Sequence, residues 1–275
     1  MILILILLED LQQDQDQEQE QEGKERMKFK DHFSGHAEQY AQFRPRYPAA
    51  LFTYLASIAP SRRLAWDCAT GNGQAAVALT RRFRRVIATD ASAAQIENAI
   101  PDLRVEYRVA PAEQSSLEPA SADLVAVAQA LHWFDIPAFF AEAQRVLVPG
   151  GVVAGWAYGL MSISPAIDPL VKHFYRDTTN EFWPPERDIV EARYQTIEFP
   201  FEEVTPPDFD MRVKWSLEQL LGYLRTWSAT QKFIAIRGFD PVVPLGEELQ
   251  QPWGAPDRIR VVRWPLALRI GRPSA

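Results

Sequence analysis

The stretch RLAWDCATGNGQAAVALTRRFRRVIATD, from Arg63 to Asp90, constrains this chain more than any other. A short apolar run, Leu64 to Trp66, ends in an acid at Asp67. The glycine-bearing loop after it opens a helical pattern with apolar residues at Ala76, Leu79 and Phe83. A second apolar run, Val86 to Ala88, then ends in Asp90. Strand, glycine turn, helix, strand and terminal acid predict a parallel α/β unit that binds a nucleotide cofactor. Gly71 and Gly73 let the backbone approach the ligand, and the second acid meets ribose hydroxyls. The spacing Gly71, Gly73, Ala76 fits the dinucleotide fingerprint, and Asp90 falls near the place of its acid. By itself, therefore, the loop leaves an NAD-dependent oxidoreductase open.

What separates the nucleotides is Asp67, set before the glycines, together with the downstream segments DLVAVAQALHWFD and RVLVPGG. With these residues the chain resembles the class I S-adenosylmethionine-dependent methyltransferases, and within them the small-molecule enzymes similar to trans-aconitate methyltransferase. The resemblance covers roughly residues 28–149 strongly and the remainder loosely. It implies a Rossmann-like, doubly wound α/β fold: a seven-stranded sheet, mostly parallel, with a C-terminal antiparallel strand pair and a helical cap. It also implies S-adenosyl-L-methionine as cofactor and a small-molecule methyl acceptor. The expected reaction is O-methylation of a carboxylate or hydroxyl by direct in-line transfer, in which positioning supplies roughly 7 to 11 kcal/mol of the barrier.

The resemblance carries roles onto particular residues. Asp67 would orient the glycine loop or the cofactor's ammonium group, and Ala69, Gly71 and Gly73 would pass its amino-acid portion. Ala69 stands where the commoner motif has glycine, which an ordinary φ tolerates. Asp90 would bind the ribose, with Ala91 beside it, and Ser92 and Gln95 read as a capping-box pair opening the next helix. Related enzymes carry an acid that meets the adenine amino group where this chain has Pro111. The Ala112 backbone, with Glu113 or Gln114, is the substitute. Tyr40 and Arg44 belong to a leading segment, ending in FRPRYP, that folds over the cofactor in related enzymes.

Open parallel sheets bind ligands at the carboxyl ends of their strands, so Gln129, Ala130, His132 and Trp133, after the fourth strand, face the cofactor and the substrate cavity. His132 is the candidate base or donor to the acceptor oxygen. Trp133 either walls the pocket, faces the sulfonium or packs into the core. If the acceptor is a carboxylate no base is needed, and an arginine such as Arg44 or Arg187 matters more. A non-catalytic S-adenosylmethionine-binding module is the remaining alternative, kept open by Pro111 and Ala69.

The formal charge of -7 concentrates at one end. Residues 1–26 hold eight acids against Lys24 and Arg26, which leaves about -1 for the rest. That balance argues against nucleic acid as a partner, and the six arginines around Arg62–Arg63 and Arg81–Arg85 read as a solvated edge. The opening MILILILL is too short to span a bilayer, so no membrane is expected. Residues 1–26 read as a disordered acidic, Gln-rich tail, 27–160 as the cofactor-binding core, and 161–275 as cap segments and closing strands of the same domain. One cysteine, Cys68, requires no oxidising compartment, and the expectation is a cytoplasmic protein. His32, His36, His132 and His173 show no metal spacing, so no metal is expected.

Further elements follow from pattern. Helices are expected over 29–40, over 49–58 and, capped by Asp135, through Val146. Strands are expected at about 104–109, 123–128 and 152–158, the last after Pro149, Gly150 and Gly151 stop the helix. Residues 209–215 and 259–270 are expected to form the closing antiparallel pair, and the helices between them, with the segment 161–205, to roof the pocket.

Overall fold

The computed structural model describes residues 45–274, all within the unit Phe33–Ala275. The acidic tail, the 29–40 helix, Tyr40 and Arg44 lie outside the described residues.

Helix α1 (Ala49–Ile58) leads into strand β1 (Leu64–Cys68), helix α2 (Gln74–Leu79), strand β2 (Arg85–Asp90), helix α3 (Ala93–Glu97), strand β3 (Val105–Val109) and strand β4 (Ala122–Ala128). A single 3₁₀ turn, Leu131–Trp133, then precedes helix α4 (Ile136–Val146) and strand β5 (Leu147–Tyr158). Short helices α5 (Asp168–His173) and α6 (Arg187–Glu191), a two-residue strand β6 (Glu202–Glu203) and strand β7 (Asp210–Trp215) follow. Helices α7 (Leu217–Arg225), α8 (Ser228–Arg237) and α9 (Val242–Trp253) come before the long strand β8 (Arg260–Arg272).

The sheet runs β3-β2-β1-β4-β5-β8-β6, with β7 on the other half of β8. Strands β1 to β5 are parallel, and β8 is antiparallel to β5, β6 and β7. The order reverses between β1 and β4, which opens a crevice at their carboxyl ends.

Two-residue alternation assigns each central strand to two apolar layers. Ala65, Leu124, Ala126, Val152, Ala154 and Trp156 pack with α1, α2, α7 and α9 on one face. Trp66, Cys68, Val125, Val127 and Val153 pack with α4 on the other. Both faces are covered, as a parallel sheet requires. Helix α4 forms as patterned: the Asp135 carboxylate accepts from the Ala138 amide at 3.2 Å, and Phe139, Phe140, Ala143 and Val146 are buried. Cys68 is buried and free, with its thiol pushed up by burial, in keeping with a packing role.

The structure corrects the fifth strand. It begins at Leu147 rather than Val152 and runs through Pro149, Gly150 and Gly151. Leu147 pairs with Ala122, and the register then shifts before Leu124 meets Val152, so the glycines form an irregularity within the strand. The expected closing pair forms, Asp210–Trp215 against Arg260–Pro265, and the sheet gains β6 as an eighth, two-residue strand. Along the arginine edge the charges are held locally. Arg85 pairs with Glu106, Arg104 with Asp102 at 3.4 Å, and Arg82 donates to Thr53 at 2.9 Å.

Candidate active site

The carboxyl ends of β1, β2 and β4 bring the glycine loop and both acids together. Asp67, at the end of β1, is fully buried and accepts from the Thr70 hydroxyl at 2.5 Å through Oδ2, while its Oδ1 has no partner. Burial pushes its carboxyl up to about 7, against the opposing pulls of the Thr70 hydroxyl and the Ala76 backbone, and Asp90 adds a smaller upward push. A buried carboxylate oxygen without a donor at a strand-end crevice fits a cationic group of a ligand.

Asp90 is 6% exposed and holds the loop from the neighbouring strand. Its carboxylate accepts from the Gly71 amide at 2.9 Å and from the Ser92 amide at 2.9 Å. This second bond corrects the expected capping box. Ser92 accepts from the Gln95 amide at 3.4 Å, but the Ser92 amide is committed to Asp90, so the reciprocal Gln95 bond does not form. The Gln95 carboxamide instead lies beside Gly71, where an added Cβ would meet its Oε1 at 3.9 Å. Ala91, between Asp90 and Ser92, is exposed.

Two loop residues depart from expectation. Ala69 has φ +53°, in the left-handed region, so the conformation is one that glycine would hold without strain. Gly73, at φ +81°, gives room to Tyr107 of β3, whose hydroxyl would lie 2.2 Å from an added Cβ. The close approach that Gly73 permits is therefore to a side chain of the protein. Tyr107 donates to the Ile100 carbonyl at 2.6 Å, and burial, with Asp67 nearby, pushes its hydroxyl up to about 12. Sequence reasoning missed Tyr107 because nothing in the pattern of β3 distinguishes it from other strand residues.

The loop after β3 places Ala112 in the core and Glu113 against the start of α4, where its carboxylate accepts from the Asp135 amide at 3.1 Å. Gln129 has φ +61°, and its carboxamide bonds both backbone groups of Tyr158, at 2.8 and 3.2 Å, extending the β4–β5 pairing. Its side chain is thus engaged in the sheet. Ala130 is buried beside it.

His132 and Trp133 sit together in the turn that follows, with ring centroids 4.8 Å apart. Trp133 is partly buried against the layer that contains Leu131 and Tyr194. His132 is pushed down to about 3 by burial and by the charge of Arg187, so its imidazole is neutral at physiological pH. Its Nδ1 lies 3.1 Å from the hydroxyl of Tyr194, a fully buried residue beyond α6 that sequence reasoning did not single out. The segment after Tyr158 lacks a regular hydrophobic period, so no sequence signal linked Tyr194 to His132.

A model of the methyltransferase domain matches residues 66–155, from β1 into β5. A protein of Dictyostelium discoideum assigned as a methyltransferase is 36% identical over 234 residues, covering 84% of this chain and 89% of that protein. The chain belongs to the class I S-adenosylmethionine-dependent methyltransferases. A solved structure from Anaeromyxobacter dehalogenans, described as a type II methyltransferase, superposes with a TM-score of 0.80 at 45% identity, over 84% of this chain and 99% of that one. A malonyl-[acyl-carrier protein] O-methyltransferase of Dechloromonas aromatica is 32% identical over 124 residues, 45% of this chain and 44% of that enzyme. Family membership sets aside the oxidoreductase reading of the glycine loop.

Proposed function

We propose that this methyltransferase binds S-adenosyl-L-methionine in the crevice above β1, β2 and β4 and methylates an oxygen of a small molecule, a carboxylate or a hydroxyl. The observation that carries the reading is the buried Asp67 carboxylate, whose Oδ1 has no partner beside a glycine loop tied down by Asp90. Asp67 would receive the cofactor's ammonium group, Asp90 and Ala91 its ribose, and Ala112 with Glu113 its adenine. Gln95, beside Gly71, and the buried Ala130 would complete the same site. When bound, the cofactor supplies an electrophilic methyl group.

The protein's part is to hold the acceptor oxygen in line and exclude water. His132, a weak base in this setting, acts as a hydrogen-bond donor, and Trp133 walls the turn. The Dechloromonas relative, named for O-methylation, supports an oxygen acceptor. With a charge near -1 outside the first 26 residues, the partner is a small molecule and not a nucleic acid. Among the described residues no helix is long and apolar enough to cross a membrane. With its lone, buried Cys68, we infer a cytoplasmic enzyme.

The reading is tested by incubating the full chain with isotopically methyl-labelled S-adenosylmethionine and a panel of small acids, phenols and amines, followed by mass spectrometry of the products. Label in the methyl group of an ester or ether supports it. Label confined to nitrogen or carbon products overturns oxygen transfer, and saturable cofactor binding with no labelled product favours a non-catalytic module.

A further inference from the structure

We propose that Arg187, His132 and Tyr194 form the acceptor-binding half of the site, and that it takes a carboxylate. The proposal rests on the methyl-transfer reading above and narrows it to one acceptor class.

The first observation is the setting of Arg187. Its guanidinium lies over the rings of Tyr175 and Trp183, 5.3 and 5.0 Å from their centroids, and its Nε donates to the Tyr175 hydroxyl at 2.6 Å. Among the described residues it pairs with no carboxylate, whereas Arg176, Arg225 and Arg237 of the same cap pair with Glu191, Asp240 and Glu181. The stacking and the Tyr175 bond fix the plane of the fork and leave its terminal nitrogens for an anion. Arg187 opens α6, which packs on the Leu131–Trp133 turn, so the charge is carried to His132.

The second observation is the strain around Tyr194. Arg193 and Tyr194 both hold positive φ, +56° and +62°, a conformation that costs non-glycine residues of order 1–3 kcal/mol each. The strained turn is clamped from β8 by buried Arg269, which donates to the Tyr194 carbonyl at 2.8 Å. What this geometry achieves is a hydroxyl 3.1 Å from His132 Nδ1. With Tyr194 donating to Nδ1, a neutral His132 carries its proton on Nε2 and presents a donor. Tyr194 is thus a positioning residue that acts through His132.

A guanidinium and an imidazole N–H are two donors with no acceptor or base, which suits an acceptor that arrives already ionised. A phenol or an ammonium would have to lose a proton, and His132 is too weak a base to take it. In the carboxylate case one acceptor oxygen forms a bond to the methyl carbon as the sulfur–methyl bond breaks. The negative charge of the acid and the positive charge of the sulfonium cancel, leaving a neutral methyl ester, S-adenosylhomocysteine and no proton to move.

The test is nitrogen-15 NMR of the His132 ring in the full chain saturated with S-adenosylhomocysteine, titrated with benzoate, propionate and succinate and with phenol and benzylamine. The expected result is a saturable shift of the Nε2 signal by at least one acid at roughly millimolar affinity, and none by the phenol or amine. Arg187→Gln should weaken that acid by about tenfold or more, with Arg187→Lys intermediate. Tyr194→Phe should turn a single Nε2–H tautomer into a mixture, a signature that loss of packing alone would not produce. No response to any acid, a response to the phenol or amine alone, or affinity indifferent to Arg187→Gln overturns the proposal. Failure of S-adenosylhomocysteine itself to bind would overturn the methyl-transfer reading, a result visible before any acid is added.

Discussion

At the scale of the residue, the two acids of the crevice do different work. Asp90 is satisfied by amide donors and shapes the loop, whereas Asp67 is held buried with an oxygen to spare. In the unfolded chain Asp67 titrates near its ordinary 3.8; in the folded protein it titrates at about 7. Between those values the native state holds a proton that the unfolded state lacks, so stability falls as pH rises through the window and the full cost is present above about pH 7. Asp67→Asn is therefore expected to stabilise the protein at pH 8 by up to about 4 kcal/mol, read as a higher urea midpoint, while abolishing cofactor binding. With Asp67 as the proposed partner of the ammonium group, the same titration predicts that cofactor affinity falls by about tenfold between pH 8 and pH 6, as that carboxylate is neutralised. Calorimetry at the two pH values checks it, and a pH-independent affinity would remove Asp67 from the contact.

Ala69 is a second residue-scale case. Held at φ +53°, it carries strain of about 1 kcal/mol that glycine would relieve. Ala69→Gly should stabilise the protein by about that amount, read as a shift in denaturant midpoint without a change in slope. The glycine motif made this position legible as a turn, but φ is set by how the loop closes on Thr89 and Asp90, and one sequence does not reveal that closure.

At the scale of the element, local patterns proved most readable where one chain segment contains its own explanation. Helix α1 forms over the expected residues because its apolar spacing and Pro48 are both local, and α4 starts where Asp135 caps it. The start of β5 was less readable, since Pro-Gly-Gly ordinarily ends an element and only pairing with Ala122 of β4 keeps the chain extended. Strand β6 depends on a similar long-range fit. A Cβ at Gly271 would lie 2.6 Å from Phe201 and 2.7 Å from Phe199, so Gly271→Val should destabilise by about 1–3 kcal/mol and release the Glu202–Glu203 pairing. Amide exchange in residues 202–204 reports that release.

Glu142 of α4 holds the loop that carries Ala112 and Glu113. Its carboxylate accepts from the Ser115 amide at 2.8 Å, the Ser115 hydroxyl at 2.5 Å and Arg145 at 2.7 Å. Burial works to raise its carboxyl, and the bonds from Arg145 and Ser115 outweigh that and hold it low. Its contribution is present above the ordinary carboxylate range and lost as pH falls through the lowered value. Glu142→Ala is expected to cost about 2 kcal/mol and to speed exchange in residues 112–117, while Glu142→Gln retains part of both.

At the scale of the whole molecule, the sheet order, the reversal between β1 and β4 and the two covered faces follow from a parallel unit repeated along the chain, and the sequence pattern carries that repetition. The candidate cofactor residues cluster for the same reason, since strand ends converge wherever the strands do. On the proposed acceptor side His132 and Arg187 could be named from the sequence, but Tyr194 could not. It comes from a segment with no regular period, and a tertiary clamp from Arg269 sets where it meets His132. Residues that come from strand ends were thus readable one at a time, whereas residues defined by a contact between distant loops were not.

Asp67 and Asp90 are proposed to frame a site for S-adenosylmethionine. Calorimetric titration of the full chain with S-adenosylmethionine, S-adenosylhomocysteine and NADH in parallel tests it most directly. Micromolar binding of both adenosyl ligands, roughly -8 kcal/mol, absent for NADH and lost in Asp90→Ala, is the predicted result. Binding of NADH alone, or adenosyl binding that survives in both Asp90→Ala and Asp67→Asn, would contradict it.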